Sequence, residues 1–139
     1  MKRLLALAAT LAIAALVVPT QRAAAQGDKG KDMPMKMVAP ASHQATVTGT
    51  VVDVSCKFGQ GLSGEAHKMC AVVCADRGLP LAILGSDGKL YIPASPAMPG
   101  DAQNNRLKAF AEQKVKVSGK VFAAGGANAI QIASIEAVR

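Results

Sequence analysis

The sequence predicts a small, mainly β domain in the last two thirds of the chain. Residues 45–55 and 114–124 alternate apolar and polar side chains, which is the pattern of half-buried strands. Residues 80–94 contain two apolar runs around Asp87-Gly88, and an Asp-Gly pair is a strong hairpin turn signal. Aromatic residues make up only 3% of the chain, so the core must be built from Val, Ile, Leu and Ala.

The first strand, residues 45–55, contains Gly49, which predicts a bulge or a sharp bend. A helix is expected to follow, with Ser63 as its N-cap and Glu65 in its first turn. Gly78 is suited to end this helix, because glycine readily takes the left-handed conformation just after a helix. A helical insertion is therefore expected between the first strand and the hairpin.

Three prolines follow the hairpin and predict an irregular connection, because proline cannot continue a strand ladder: Pro93, Pro96 and Pro99. Asp101 is expected to cap a second helix that runs to about Gln113. Leu107 and Phe110 lie three residues apart in it and form its predicted buried side.

The last two strands are predicted to form a hairpin around a turn at residues 125–128. Val115 and Val117 should face the core, and a one-residue slip between Ile132 and Ile135 predicts a second bulge. The order is therefore strand, helix, hairpin, helix, hairpin. It predicts a mainly β fold, a five-stranded OB-like Greek-key barrel with a helix inserted after strand 1 and a helix between strands 3 and 4.

Residues 1–25 have the composition of a signal peptide. Lys2 and Arg3 form a charged start, residues 4–18 are apolar, and residues 23–25 are small. The apolar run is too short to span a bilayer comfortably, and no later stretch approaches the required length. We therefore expect a periplasmic or secreted protein with no membrane span after the signal is removed, and an OB-like domain over residues 45–139.

Residues 26–44 are polar, contain proline and glycine, and predict a flexible arm. Met33, Met35 and Met37 alternate within the arm, and His43 follows them. Thioethers suit Cu(I), so these residues are an auxiliary metal site in one interpretation. The favoured interpretation is a linker that happens to contain methionines.

All three cysteines lie between residues 56 and 74, together with one of the two histidines. In the predicted helix, His67, Cys70 and Cys74 stand at positions i, i+3 and i+7 and share one side. Cys56 precedes this helix by a glycine-rich loop that is flexible enough to return to the same side. Three sulfurs and one imidazole then form a Cys₃His site suited to zinc or copper as the cofactor.

Two other interpretations of the cysteines remain open. In an oxidising compartment, Cys56 pairs with Cys70 or Cys74 and stabilises the fold by about 2–4 kcal/mol, which leaves one thiol over. Alternatively, His67 activates a neighbouring thiol for redox or nucleophilic chemistry. The chain has no C-x-x-C pair, no haem-attachment motif and no common hydrolase motif, so no enzymatic activity is expected.

The net charge of +7 is spread over single, scattered residues. This distribution indicates a solvated surface and not a patch for nucleic acid or membrane. An OB-fold that binds single strands needs several stacking aromatics in a basic groove, and Tyr91 alone does not supply them. The expected partner is therefore a metal ion or a periplasmic protein.

The phrases VTGTVVDVS, LYI, LKAFAEQKVKVSGKVF and ANAIQIASIE, within residues 45–138, resemble exported bacterial OB-fold proteins. These include periplasmic stress proteins and lipoprotein domains similar to tRNA-anticodon-binding domains. The pattern VVDxxC…HxxCAxxC…GxP also resembles uncharacterised exported proteins, and this resemblance implies no activity.

In size and fold the chain is similar to periplasmic OB-fold copper chaperones, which implies copper handling. Those chaperones use Met, His and Trp on the barrel strands, and this chain has no Trp. The sequence thus predicts an exported, non-enzymatic protein that binds copper or zinc through Cys56, His67, Cys70 and Cys74. The alternative is a disulfide-stapled OB-fold module that binds a protein or a small ligand.

Overall fold

The computed structural model describes residue 38 and residues 40–138. The predicted signal peptide, residues 1–25, and the predicted ligands Met33, Met35 and Met37 lie outside these residues. Five strands close into a barrel, with helices after the first strand and between the third and fourth. In this part of the chain no helix is both long enough and apolar enough to cross a membrane.

The barrel strands are β1 Ser42–Asp53, β2 Leu81–Gly85, β3 Leu90–Pro93, β4 Lys114–Ala124 and β5 Ala127–Ala137. Their order around the barrel is β1-β2-β3-β5-β4, and β4 pairs with β1 to close it. β3 and β5 run parallel, whereas all the other neighbouring pairs are antiparallel. This is the arrangement of an OB-like Greek-key barrel, so the predicted fold class is confirmed.

β1 closes the barrel because it pairs with a different strand at each end. Residues 42–50 pair with β4, and residues 49–53 pair with β2. Both registers run without a shift, so the bulge expected at Gly49 is not formed. Glycine is required there for space instead, since a Cβ would collide with the Leu84 carbonyl oxygen and with Cα of Gly85.

Two helices and a 3₁₀ turn follow β1, where the sequence predicted one helix: α1 Val54–Gln60, the turn Glu65–His67 and α2 Lys68–Asp76. Ser63 is not an N-cap, because Gly64 precedes the 3₁₀ turn and no side chain caps it. The predicted end is correct. Gly78 has a φ of 90° and donates its N–H to the Ala75 carbonyl, and the N–H of Leu79 reaches the Cys74 carbonyl.

The second predicted helix is shorter than expected. It consists of α3 Asn104–Leu107 followed by a 3₁₀ turn, Lys108–Phe110. The prediction of Asp101 as the cap is wrong, because Gln103 occupies the N-cap position and makes no capping side-chain bond. The 3₁₀ turn ends at Phe110, because Ala111 has an extended ψ of 130°, and Glu112 then takes a φ of 59° before β4.

The core fills the barrel interior with aliphatic side chains. Its fully buried members include Val51, Ile83, Leu107, Val115, Val117 and Ile130. β4 alternates as predicted, with exposed Lys114 and Lys116 each followed by a buried valine. Phe110 packs against this core from the second helical segment.

The β4–β5 ladder contains one register shift, between Ser118 and Gly119. Ser118 pairs with Ser134 and Gly119 with Ile132, so Ala133 has no partner on β4. The extra residue lies between Ile132 and Ile135, and the predicted second bulge is therefore confirmed.

Candidate metal centre

Asp53 joins the barrel to the helical insertion. It is the last residue of β1 and the N-cap of α1, and its Oδ1 accepts the N–H of Cys56 at 3.1 Å. The side chain is fully buried. This cap starts a helix directly after the strand, so Cys56 lies on α1, a helix that the sequence did not predict, and faces inward.

The three cysteines converge from α1 and α2. The sulfurs of Cys56, Cys70 and Cys74 all lie within 4.8 Å of one another. Cys56 is buried, Cys74 is half-buried and Cys70 is exposed, and all three are free thiols. We call this set the three-sulfur group, and it extends from the interior to the surface of the insertion.

The exposure of the α2 thiols follows from the helix period. Ala71 and Ala75 are the buried residues of α2 and lie one turn apart. Cys70 and Cys74 each come one position before an alanine, so they lie at the edge of the buried side. One side of the three-sulfur group therefore faces solvent.

His67 belongs to a second group. One ligand atom from each of Asp53, Cys56 and His67 lies within 4.8 Å of the other two, and all three residues are buried. We call this set the mixed group. The four predicted ligands thus fall into two overlapping groups that share Cys56, with Asp53 as an additional member.

Glu112 holds His67 in place. Its Oε1 lies 3.0 Å from Nδ1 of His67, and its Oε2 accepts the N–H of Gly64 at 2.7 Å. The backbone N–H of Glu112 donates to the Val51 carbonyl on β1 at 2.8 Å. A carboxylate on one ring nitrogen directs the other toward a ligand, an arrangement common for histidines that bind metals.

Burial and the hydrogen bonds of Asp53 set the charges of the cluster. Burial acts to raise the pKa of Asp53, but the N–H of Cys56 and the nearby thiols of Cys74 and Cys56 lower it overall. Burial raises the pKa of Cys56, and the adjacent Asp53 raises it further. Asp53 and then burial raise the pKa of Cys74 to about 12. Without a cation the Asp53 carboxylate therefore lies beside the protonated thiols of Cys56 and Cys74.

Two buried polar atoms of the mixed group have no hydrogen-bond partner: Oδ2 of Asp53 and Nε2 of His67. The thiols near Asp53 affect its pKa but do not make a well-formed hydrogen bond to Oδ2. Buried polar atoms in native proteins are nearly always satisfied by protein, water or an ion. The described residues therefore include a Cys/His/Asp group that could bind a metal ion.

His43 lies apart from both groups. It is exposed on β1, paired with Val121 of β4, ten positions before Asp53. At the rise of an extended strand this separation is about 30 Å along β1. A role for His43 with the predicted methionine ligands stays a prediction, because those methionines lie outside the described residues.

Sequence reasoning missed Asp53 and Glu112. Asp53 was available as an N-cap signal three residues before Cys56, but the apolar residues around it favoured a continued strand. No local pattern marks Glu112. Comparisons of the chain with protein-family models, curated proteins and solved structures found no match.

Proposed function

We propose that the protein is an exported, non-enzymatic metal-binding protein that holds zinc or copper(I) at the three-sulfur group. The observation that carries the proposal is the convergence of Cys56, Cys70 and Cys74, whose sulfurs lie within 4.8 Å of one another. Thiolates bind Zn(II) and Cu(I) strongly, and sulfurs around either ion are separated by less than this distance. Small side-chain rotations would therefore bring all three onto one ion.

Two helices fix the sulfurs before any ion binds. Cys56 is held by the Asp53 cap on α1, whereas Cys70 and Cys74 are one turn apart on α2. The insertion is attached to the barrel at both ends, because Asp53 of β1 pairs directly with Leu81 of β2. A rigid frame of this kind lowers the entropy lost when the ligands are ordered around an ion.

The rival function is a disulfide-stapled interaction module. The same proximity of sulfurs favours it, since Cys56 lies near both Cys70 and Cys74. Export would expose these thiols to oxidation. A bond from Cys56 to α2 would leave one free thiol and would prevent a three-thiolate site.

The two functions are distinguished by elemental analysis of protein purified from the periplasm, with intact mass before and after thiol alkylation. For the metal protein we expect zinc or copper at the three-sulfur group, and the loss of one equivalent in Cys70→Ser and in Cys74→Ser. Met69→Leu is the matched control, because Met69 is an exposed sulfur-containing neighbour on the same helix. It should retain the full metal content.

A metal-free chain that is lighter by two hydrogens, with one alkylatable thiol, would overturn the proposal and support the stapled module. Competition between zinc and copper(I) for the reduced, metal-free chain then identifies the preferred ion. A chain that binds neither ion when all three thiols are reduced would also contradict the proposal.

A further inference from the structure

The mixed group presents three electron-pair donors to one buried space. Oε2 of Glu112 accepts an N–H and Oε1 faces Nδ1 of His67, so Glu112 acts as an acceptor and Nδ1 carries the proton. In the neutral imidazole, Nε2 of His67 is then the ring nitrogen with a free lone pair. A ring nitrogen of His67 lies within 4.8 Å of a carboxylate oxygen of Asp53 and of the Cys56 sulfur, and Nε2 is the ring nitrogen that Glu112 leaves free. A cation satisfies such a set.

The two unpartnered atoms of this group are the strongest sign of a ligand. Oδ2 of Asp53 and Nε2 of His67 belong to side chains that are more than nine-tenths buried. Each unsatisfied buried polar atom destabilises the folded chain, because it has lost its hydrogen bonds to water. A cation bound by both atoms would satisfy Oδ2 and Nε2 together. The two atoms cannot satisfy each other, because both are acceptors and neither carries a proton to donate.

The ligand types separate the mixed group from the three-sulfur group. The mixed group offers one oxygen, one nitrogen and one sulfur, whereas the three-sulfur group offers sulfur alone. Zn(II) accepts all three ligand types, but Cu(I) prefers soft sulfur ligands. The mixed group is therefore suited to a divalent ion of the zinc type.

Charge balance favours two ions over one. With its thiols deprotonated, the cluster carries four negative charges, from three thiolates and the Asp53 carboxylate. None of the ion pairs formed by residues 40–138 involves Asp53. One divalent ion leaves half of this ligand charge uncompensated next to the buried Asp53 and Cys56, whereas two divalent ions balance it.

We infer that the mixed group binds a second divalent ion of the zinc type, and that the Cys56 thiolate bridges it to the ion at the three-sulfur group. The inference rests on the proposed function, because both ions share Cys56. Each ion has three protein ligands, and the thiol protons leave to solvent on binding. Nε2 of His67 and a carboxylate oxygen of Asp53 complete the protein ligands of the inner ion.

The test is zinc reconstitution of the reduced, metal-free protein, followed by measurement of the zinc-to-protein ratio. We expect two equivalents in the wild type and one in His67→Asn. Cys70→Ser should also retain one equivalent, now at the mixed group. His43→Asn is the matched control, since His43 is the only other histidine and is exposed, and it should retain two.

A wild type that binds one equivalent, with His67→Asn also binding one, would overturn the second ion and leave the proposed function intact. A wild type whose single equivalent is lost in both variants would mean one joint site and would also overturn the inference. No zinc in any of the proteins would overturn the second divalent ion, and copper(I) binding to the same reduced chain then decides the proposed function.

Spectroscopy of the wild type keeps the test independent of how well the variants fold. The protein is loaded with a magnetically active cadmium isotope, and its NMR spectrum is recorded. Two cadmium resonances that split each other through a shared sulfur would support the bridged pair. A single resonance at saturation would overturn it.

Discussion

Oε1 of Glu112 lies 3.0 Å from Nδ1 of His67, although the two residues are 45 positions apart in the sequence. Glu112 precedes β4 and is anchored to β1 through Val51, whereas His67 belongs to the helical insertion. The pair therefore orients the imidazole relative to the barrel. Glu112 adopts a φ of 59°, a left-handed conformation that is uncommon for residues other than glycine.

We expect Glu112→Gln to weaken zinc binding at the mixed group by about 10–100-fold, because loss of the carboxylate partner releases the orientation and lowers the basicity of His67. Binding at the three-sulfur group should be unchanged. The measurement is a competition titration with a chromophoric chelator. Glu136→Gln serves as the control, because Glu136 is paired with Lys116 on the outside of the barrel. Equal affinities for Glu112→Gln and the wild type would contradict the positioning role.

Removing the Asp53 cap should destabilise the insertion even without metal. We expect Asp53→Ala to lower the free energy of unfolding of the reduced, metal-free protein by about 1 kcal/mol, as found for other N-caps. Asparagine caps a helix as well as aspartate does, so Asp53→Asn should lower the free energy of unfolding by less than Asp53→Ala does. Urea unfolding of both variants measures the difference. Equal losses would show that the carboxylate charge matters here and the cap does not.

Two glycines should respond in opposite ways to alanine. Gly49→Ala should lower the free energy of unfolding by about 1–3 kcal/mol, because the new Cβ meets the backbone of β2. Gly59→Ala should raise it by about 0.5–1 kcal/mol, since Gly59 lies in α1 with open space around it. Chemical denaturation of the two variants at one pH tests the pair. A neutral Gly49→Ala would show that β1 and β2 can separate at little cost.

The β2–β3 turn should make stability depend on acid pH. The Tyr91 hydroxyl donates to Oδ2 of Asp87 at 2.8 Å, and this bond, followed by the N–H of Lys89, lowers the pKa of Asp87. A lowered carboxyl pKa contributes stability that is complete above the ordinary value of 3.8 and is lost as the pH falls through the lowered value.

Tyr91→Phe should therefore reduce the free energy of unfolding most at neutral pH. The difference from the wild type should shrink as Asp87 becomes protonated in strong acid. Denaturant unfolding across this pH range provides the measurement. A difference that stays constant with pH would mean that the hydroxyl acts independently of the Asp87 charge.

The barrel strands were predictable because burial of one side of a strand makes apolar and polar residues alternate along the sequence. Val115 and Val117 alternate with exposed Lys114 and Lys116, and this pattern alone places β4. The bulge was also visible, as the slip between Ile132 and Ile135. The short helices were not predictable to the same extent. Val54 continues an apolar run that favours a strand, and only the Asp53 cap turns the chain into α1.

The proximity of Cys70 and Cys74 was predictable from their spacing, because residues four positions apart lie on the same side of any α-helix. Their meeting with Cys56 depended on a short connection and was also foreseen. Glu112 could not be predicted, since its contact with His67 depends on how the barrel closes. His67 lies in the 3₁₀ turn that precedes α2, and it groups with Asp53 and Cys56 instead of with the two thiols of α2.

The direct pairing of Asp53 with Leu81 has a consequence for protein engineering. Residues 54–80 leave and re-enter the barrel at adjacent positions, so a short turn can replace them without opening the sheet. The same segment could also be grafted onto other proteins, between two antiparallel strands whose ends are paired as directly as Asp53 and Leu81 are. A recipient protein without a counterpart of Glu112 would gain the three cysteine sulfurs in their positions, but the His67 imidazole would have no carboxylate to orient it.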